Sequence, residues 1–110
     1  MNHSFNVEIA TQYGIEEAIL LENIAFWCFH NKANDKHFHN GDYWTYNSSK
    51  AFLELFPYMS EDKIQRTLKN LVRHELIKTD VLNKSAYDRT KWYALTEKAK
   101  SHYAFRKNAE

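Results

Sequence analysis

Residues 60–95 read SEDKIQRTLKNLVRHELIKTDVLNKSAYDRTKWYAL, and most of the fold can be inferred from this stretch. Its first part predicts a helix after Ser60, because serine is a favoured N-cap and Glu61 and Asp62 suit the positive end of the helix dipole. Apolar residues then recur at helical spacing, so one face of this helix is predicted to be buried. That face carries Ile64, Leu68, Leu71 and Val72.

The opposite face of the same helix is predicted to be cationic. At about 100° per residue, the positions turned away from the apolar stripe are Arg66, Lys69, Asn70 and Arg73. Arginine pairs with guanine, and asparagine with adenine, through two parallel hydrogen bonds, so these side chains suit the major groove of DNA. Lys63 and Gln65 flank this face, where they would contact the DNA backbone.

A β-hairpin with a basic tip is predicted to follow. Residues 77–82 and 90–95 are rich in strand-forming side chains, and residues 83–89 between them form a polar turn. The basic side chains at or beside the turn, which would touch phosphates or the minor groove, are Lys84, Arg89 and Lys91. A cationic helix followed by a cationic hairpin is typical of a winged helix-turn-helix.

The remaining segments complete this pattern. In chain order, we expect a short extended or strand-like segment at 5–9, a helix at 15–32 and a polar loop at 34–42 with the turn signal Asn40-Gly41. An aromatic strand at 43–46 and a helix ending at Pro57 follow, and after the hairpin comes a helix from 97 to about 106 capped by Thr96. The strand at 43–46 would pair with the hairpin. The sequence therefore predicts a mainly helical α+β fold, a winged helix-turn-helix with a small three-stranded antiparallel sheet, as a single domain over residues 1–110.

The helix that ends at Pro57 also offers groups for DNA. Ser48, Ser49 and Lys50 open this helix, with Asn47 or Ser48 as its cap, and free amides and hydroxyls at a helix start suit a phosphate. Proline disfavours helical geometry in the residue before it, and the Ser60 helix begins shortly afterwards. This separation suits a helix-turn-helix.

The charge is unevenly distributed, although the whole chain has a net charge of only +1. Residues 1–62 carry nine acidic and three basic side chains, a balance of −6, whereas residues 63–110 carry twelve basic and five acidic, a balance of +7. This asymmetry would make one end of the molecule attract phosphate. The alternative is that these charges are only solvated. Their position on the face left free by the apolar stripe favours nucleic acid.

The composition bounds the class of protein. With 44% hydrophobic residues the chain can fill a single core, and two glycines and one proline are few for an all-β fold. The lone cysteine, Cys28, cannot form an internal disulfide, which suits a reducing cytoplasm. We find no apolar run of about 18–20 residues that would span a membrane. A cytoplasmic protein without a membrane partner is therefore expected.

The helix at 15–32 is apolar around nearly its whole circumference. Such a helix must be buried on all sides, and a small three-helix domain covers only part of it, so we expect a homodimer. The candidates for the exposed contact are Leu20, Ile24 and Trp27, which lie together at helical spacing. The alternative is that the aromatic strand and the last helix cover this surface within one monomer.

Neither a metal site nor catalysis is predicted. Cys28, His30, His37 and His39 are zinc-type ligands, but on a helix Cys28 and His30 diverge by about 200° and cannot share one ion. The sequence contains no P-loop, glycine-rich cradle, nucleophile elbow or acidic metal cluster. We therefore expect no cofactor, no metal and no enzyme activity.

Three motifs carry a resemblance to a known family. FHNGDYWTYNS at 38–48, LFPYMS at 55–60 and YDRTKWYAL at 87–95 resemble a winged-helix domain of bacteriophages and mobile elements that is seen in replication and DnaD-like proteins. The resemblance covers roughly residues 5–97. It implies a DNA-binding or replication-associated role, often with self-association.

Two function classes stay open at this point. The first is binding of double-stranded DNA, for replication initiation or transcriptional control in a mobile element. The second is a protein–protein assembly module of a replication complex on the same scaffold. Salt-sensitive DNA binding that depends on the Ser60 helix would distinguish the first class from the second.

Overall fold

The computed structural model describes residues 1–82 and 87–103, which form five helices and five short strands. In chain order these are α1 (Val7–Tyr13), α2 (Ile15–Ala33), β1 (Phe38–His39), β2 (Asp42–Tyr43), β3 (Thr45–Tyr46), α3 (Ser49–Leu55), α4 (Glu61–Arg73), β4 (Ile77–Asp80), β5 (Trp92–Leu95) and α5 (Glu97–Ser101). The fold is α+β and mainly helical, as predicted. Helices α3 and α4 form the helix-turn-helix, and β4 and β5 form the arms of the wing.

The sheet of the wing has three antiparallel strands in the order β3-β5-β4. Tyr46 pairs with Trp92 in its register, so the aromatic strand does pair with the hairpin as the sequence predicts. That strand divides at Trp44, however, and β2 pairs instead with β1 in a separate hairpin. Asn40 and Gly41 turn this hairpin with φ of 51° and 82°, the left-handed backbone that an Asn-Gly turn signal indicates.

The extended or strand-like segment predicted at 5–9 is wrong, because α1 occupies most of it. The side chain of Asn6 accepts a hydrogen bond from the backbone N–H of Ile9 at 3.1 Å, so Asn6 is an N-cap rather than a strand residue. Gly14 separates α1 from α2 with φ of 118° and ψ of 154°, a conformation that essentially only glycine adopts. Helix α1 folds back onto α2 at this point.

The core surrounds α2. Helix α1, helix α4 and strand β5 all pack against it, and Leu20 and Ile24 are 0% and 1% exposed. The expectation that these two residues lie on an exposed dimer surface is therefore wrong, because the chain itself covers them. Helix α1, absent from the sequence prediction, supplies much of the missing cover. Trp27 remains 39% exposed.

A second, smaller cluster lies on the outer face of the sheet. Trp44, Trp92 and Ala94 are buried there, with Leu82 packed against them. The indole Nε1 of Trp44 donates to the backbone carbonyl of His39 at 2.8 Å, which fixes the β1–β2 hairpin over this face. Both faces of the sheet are thus covered near its base.

Side-chain caps define the helix starts. The hydroxyls of Ser48, Ser60 and Thr96 accept the backbone N–H of the third residue of the helix that follows, as the sequence predicts. Helix α5 ends at Ser101, so the predicted last helix is too long: residues 102 and 103 form a turn, and 104–106 lie outside the described residues. Within the described part of the chain, no helix combines the length and apolar character that crossing a membrane requires.

Candidate nucleic-acid interface

Helix α4 has a buried side, an exposed side and two flanks. Its buried side consists of Ile64, Thr67, Leu68 and Leu71, and its most exposed basic residues are Arg66, Lys69 and Arg73. Val72 is 42% exposed, so its place in the predicted apolar face is wrong and Thr67 occupies that face instead. Thr67 is accommodated because its hydroxyl donates to the carbonyl of Lys63 at 2.7 Å. The two flanks of the helix differ in what they touch.

One flank is tied to carboxylates at the start of α2. Lys63 forms a 2.9 Å salt bridge with Glu16, and the hydrogen bond from Lys63 lowers the pKa of Glu16. The amide of Asn70 donates to Glu17 at 3.1 Å, and Arg73 donates to the amide oxygen of Asn70 at 3.2 Å. The expectation that Asn70 projects outward beside Arg66 is therefore wrong. These three predicted DNA contacts are already paired within the protein.

The other flank faces an open groove. This groove lies between the end of β3, the start of α3, helix α4 and the chain that enters β5, and has a volume of about 480 Å³. Its lining residues are Tyr46, Asn47, Ser48, Ser49, Ala51, Gln65, Arg89, Thr90, Lys91 and Tyr93. Five predicted contacts, on three separate segments, therefore line one cavity: Ser48, Ser49, Gln65, Arg89 and Lys91.

A second groove of about 210 Å³ continues from the first along α4. It is lined by Gln65, Leu68, Lys69, Val72, Thr79, Lys91 and Tyr93. Because Gln65, Lys91 and Tyr93 line both cavities, we treat them as one surface and call it the wing groove. Among the described lining residues there is no carboxylate, while Lys69, Arg89 and Lys91 contribute positive charge.

The segment that carries Arg89 and Lys91 is held in shape by Asp88. The carboxylate of Asp88 accepts the hydroxyl of Thr90 at 2.7 Å and its backbone N–H at 3.0 Å. These hydrogen bonds, the hydroxyl's first, lower the pKa of Asp88, so this carboxylate remains ionised and bound to the turn. The local turn directs the two basic side chains on either side of Thr90 toward the groove.

The remaining predicted contacts lie beside the wing groove or outside the described chain. Lys50 is exposed in the first turn of α3, and the Ser48 hydroxyl, besides lining the groove, accepts the backbone N–H of Ala51. Arg66 is exposed and forms a 3.4 Å surface ion pair with Asp62. Lys84 lies outside the described residues.

Gln65 has a more central place in the candidate site than the sequence indicates. It was expected on the flank of α4, yet it lines both parts of the wing groove. The helical angle alone places Gln65 on one flank and Lys63 on the other. The sequence does not show that the sheet packs beside the first flank and α2 beside the second.

The structure also shows the surroundings of Cys28 and of the other side chains that could bind zinc. Cys28 is buried, and burial raises the pKa of its thiol to about 12, so the reactive thiolate is strongly disfavoured. Over residues 1–82 and 87–103, no three His, Cys, Asp or Glu side chains gather closely enough to hold a metal ion.

Comparison of the chain with protein-family models, with curated proteins and with solved structures finds no match.

Proposed function

We propose that this chain binds double-stranded DNA through the wing groove and the exposed face of α4. The observation that carries the proposal is the junction of three segments at Gln65 and Lys91, where basic and hydroxyl side chains line a continuous groove and the described lining holds no carboxylate. Such a surface attracts a phosphate backbone, whereas the carboxylates Glu16 and Glu17 lie on the opposite flank of α4.

In this proposal α4 lies in the major groove and the wing contacts the backbone. Gln65 and Lys69 face the wing groove, and Arg66 projects from the adjoining exposed side of α4. In this proposal these three side chains meet the base edges. The phosphate contacts are assigned to Arg89, Lys91 and the serines that open α3. Phosphate contacts set the register of the duplex, and base contacts give specificity.

We propose more specifically that this DNA binding serves replication in a phage or mobile element. Its support is the resemblance of the three motifs at 38–48, 55–60 and 87–95, which form β1 to the start of α3, the turn before α4, and the wing arm with β5. The first and third motifs contribute lining residues to the wing groove, whereas the second connects α3 to α4.

The experiment that tests the proposal is a salt series of binding titrations with a labelled mixed-sequence duplex. Arg89→Ala and Lys91→Ala should each weaken binding and reduce the slope of log affinity against log salt by about 0.9 for each phosphate that the variant no longer neutralises. Lys32→Ala is the charge-matched control, because Lys32 is exposed at the end of α2 and lines neither part of the wing groove. Equal slopes for all three variants, or no salt-sensitive binding by the unmodified protein, would overturn the proposal.

A further inference from the structure

A separate cleft opens between α2 and β3, beside the wing groove. It has a volume of about 240 Å³ and is lined by Trp27, Asn31, His37, Thr45, Tyr46 and Asn47. Two of these are large aromatic residues that remain 39% and 50% exposed, Trp27 and Tyr46 respectively. We call this the aromatic cleft. Its volume is below the roughly 300–1,000 Å³ of sites for drug-sized ligands, so it suits a smaller flat group.

The aromatic side chains of the cleft are held in place by neighbouring rings. The ring of Tyr46 packs on that of Trp92 with centroids 4.4 Å apart. Trp27 meets Phe26 and His30 edge to face, with centroid separations of 5.3 Å in both cases. Rings fixed in this way lose little conformational freedom when a ligand stacks on them, which favours binding.

The polar part of the cleft is free of carboxylates among the described lining residues. Asn47 and Thr45 offer neutral amide and hydroxyl groups, and His37 offers ring nitrogens. Asn31 is buried at the cleft wall, where its amide nitrogen donates to the carbonyl of Trp44 at 2.8 Å. This mixture of donors and acceptors beside aromatic faces suits the edge of an unpaired nucleobase, which is stacked and hydrogen-bonded at once.

The aromatic cleft is continuous with the wing groove. Tyr46 and Asn47 line both cavities, so a strand whose phosphates follow Lys91 and Arg89 reaches the cleft without crossing an acidic surface among the described lining residues. The charge that a nucleic-acid strand requires is therefore supplied next to the rings that its bases would require.

We propose that the aromatic cleft receives unpaired bases of a single-stranded DNA segment adjoining the duplex held in the wing groove. This inference rests on the function proposed above and extends it to a junction of double and single strands. The cleft is small for a contact between two copies of the chain. Phe26, Trp27 and Tyr46 together expose on the order of 300 Å² of aromatic surface, whereas a stable dimer needs about 800 Å² on each partner.

The test compares a blunt duplex with the same duplex carrying a single-stranded tail, each titrated against the unmodified protein and three variants. The tail should tighten binding to the unmodified protein, and Trp27→Ala and Tyr46→Leu should each remove about five- to hundredfold of that gain. Phe38→Ala is the matched control, since Phe38 is an exposed aromatic residue that does not line the cleft. Blunt-duplex affinity should be unchanged in Trp27→Ala and Phe38→Ala. Tyr46 also lines the wing groove, so for Tyr46→Leu the gain from the tail is measured against the blunt-duplex affinity of the same variant.

Two substitutions in different elements keep the test decisive, because Tyr46 also supports Trp92 and its replacement could disturb the fold. Circular dichroism identifies the folded variants, and either one suffices. The inference is overturned if the tail adds no affinity, or if a folded variant keeps the full gain while blunt-duplex binding persists. It is equally overturned if Trp27→Ala separates a dimer in light scattering without altering the gain, which would assign the cleft to a second copy. Failure of the unmodified protein to bind the blunt duplex would instead refute the proposed function.

Discussion

The side-chain amide of Asn70 on α4 donates a 3.1 Å hydrogen bond to the carboxylate of Glu17 on α2. Glu17 is only 8% exposed, so this contact satisfies a carboxylate that is largely shielded from water. It also fixes the rotation of α4 about its axis. With Asn70 turned toward α2, Gln65 and Lys69 face the wing groove.

The first prediction follows from this contact. Asn70→Ala should lower the free energy of unfolding by about 1–3 kcal/mol, because a largely buried carboxylate loses a donor. The neighbouring exposed Lys69→Ala should change it by less than about 0.5 kcal/mol. Urea unfolding measures both. If Asn70→Ala leaves stability unchanged and weakens DNA binding more than Lys69→Ala does, Asn70 reads DNA and α4 does not bind in the proposed orientation.

The second prediction separates two arginines on α4. Arg66→Ala should weaken binding to a duplex selected from a random pool by about 1–3 kcal/mol if Arg66 reads a base. Its surface pair with Asp62 is of little energetic consequence and can be exchanged for DNA. Arg73→Ala removes the same charge, but the Arg73 side chain is already hydrogen-bonded to Asn70. Its substitution should therefore weaken DNA binding less. An equal or larger effect of Arg73→Ala in parallel titrations would contradict this assignment.

The third prediction concerns Gly14, which joins α1 to α2. A Cβ atom there would lie 2.2 Å from Oε1 of Glu17 and would require a strained backbone at φ 118°. Gly14→Ala should therefore destabilise the protein by about 1–3 kcal/mol, and by more if Glu17 cannot move away from Asn70. Gly41→Ala is the control, because its φ is also positive, at 82°, but no atom lies within 4 Å of the added Cβ. Thermal unfolding in which Gly41→Ala is the less stable variant would refute this explanation.

The fourth prediction is a pH dependence centred on Asp42, which joins β2 to both β4 and α5. Burial acts to raise the pKa of Asp42, but hydrogen bonds from Lys78 and Lys100 outweigh it and hold the pKa below its ordinary value of 3.8. A carboxyl whose pKa is lowered by folding contributes its full stability above the ordinary pKa. That contribution should decline as the pH falls below 3.8 toward the lower pKa of the folded state.

Asp42→Asn is the variant that tests this pH dependence. It should lower the free energy of unfolding at neutral pH by about 1–3 kcal/mol, and the difference from the unmodified protein should shrink in acid. Urea unfolding from neutral pH into acid measures it. A difference that is independent of pH would show that the charge of Asp42 contributes nothing.

Local rules predicted α4, the three-stranded sheet and the caps at Ser48, Ser60 and Thr96, because side-chain spacing and capping chemistry act within a few residues. The same rules failed at residues 5–9. There the alternation of apolar and polar side chains imitates a strand, while Asn6 caps a helix that only its packing on α2 makes stable.

The candidate site was predictable in its charge but only partly in its geometry. The sequence separates the basic residues of α4 from its apolar stripe, yet Gln65 and Asn70 lie on opposite flanks, and only the neighbouring elements decide which flank is open. The exposed surface of α2 was misplaced for the same reason. Leu20 and Ile24 are buried because α1, α4 and β5 pack on α2, which no periodicity within α2 could show.

The most direct test of DNA binding by the wing groove is a map of backbone amide signals when a blunt duplex is added to isotope-labelled protein. We predict salt-sensitive changes confined to the wing groove and α4, with the largest near Ser49, Gln65, Lys69 and Lys91, and little change at Glu17. If those four signals stay unchanged while others move, or if no signal moves at low salt, the wing groove does not bind DNA.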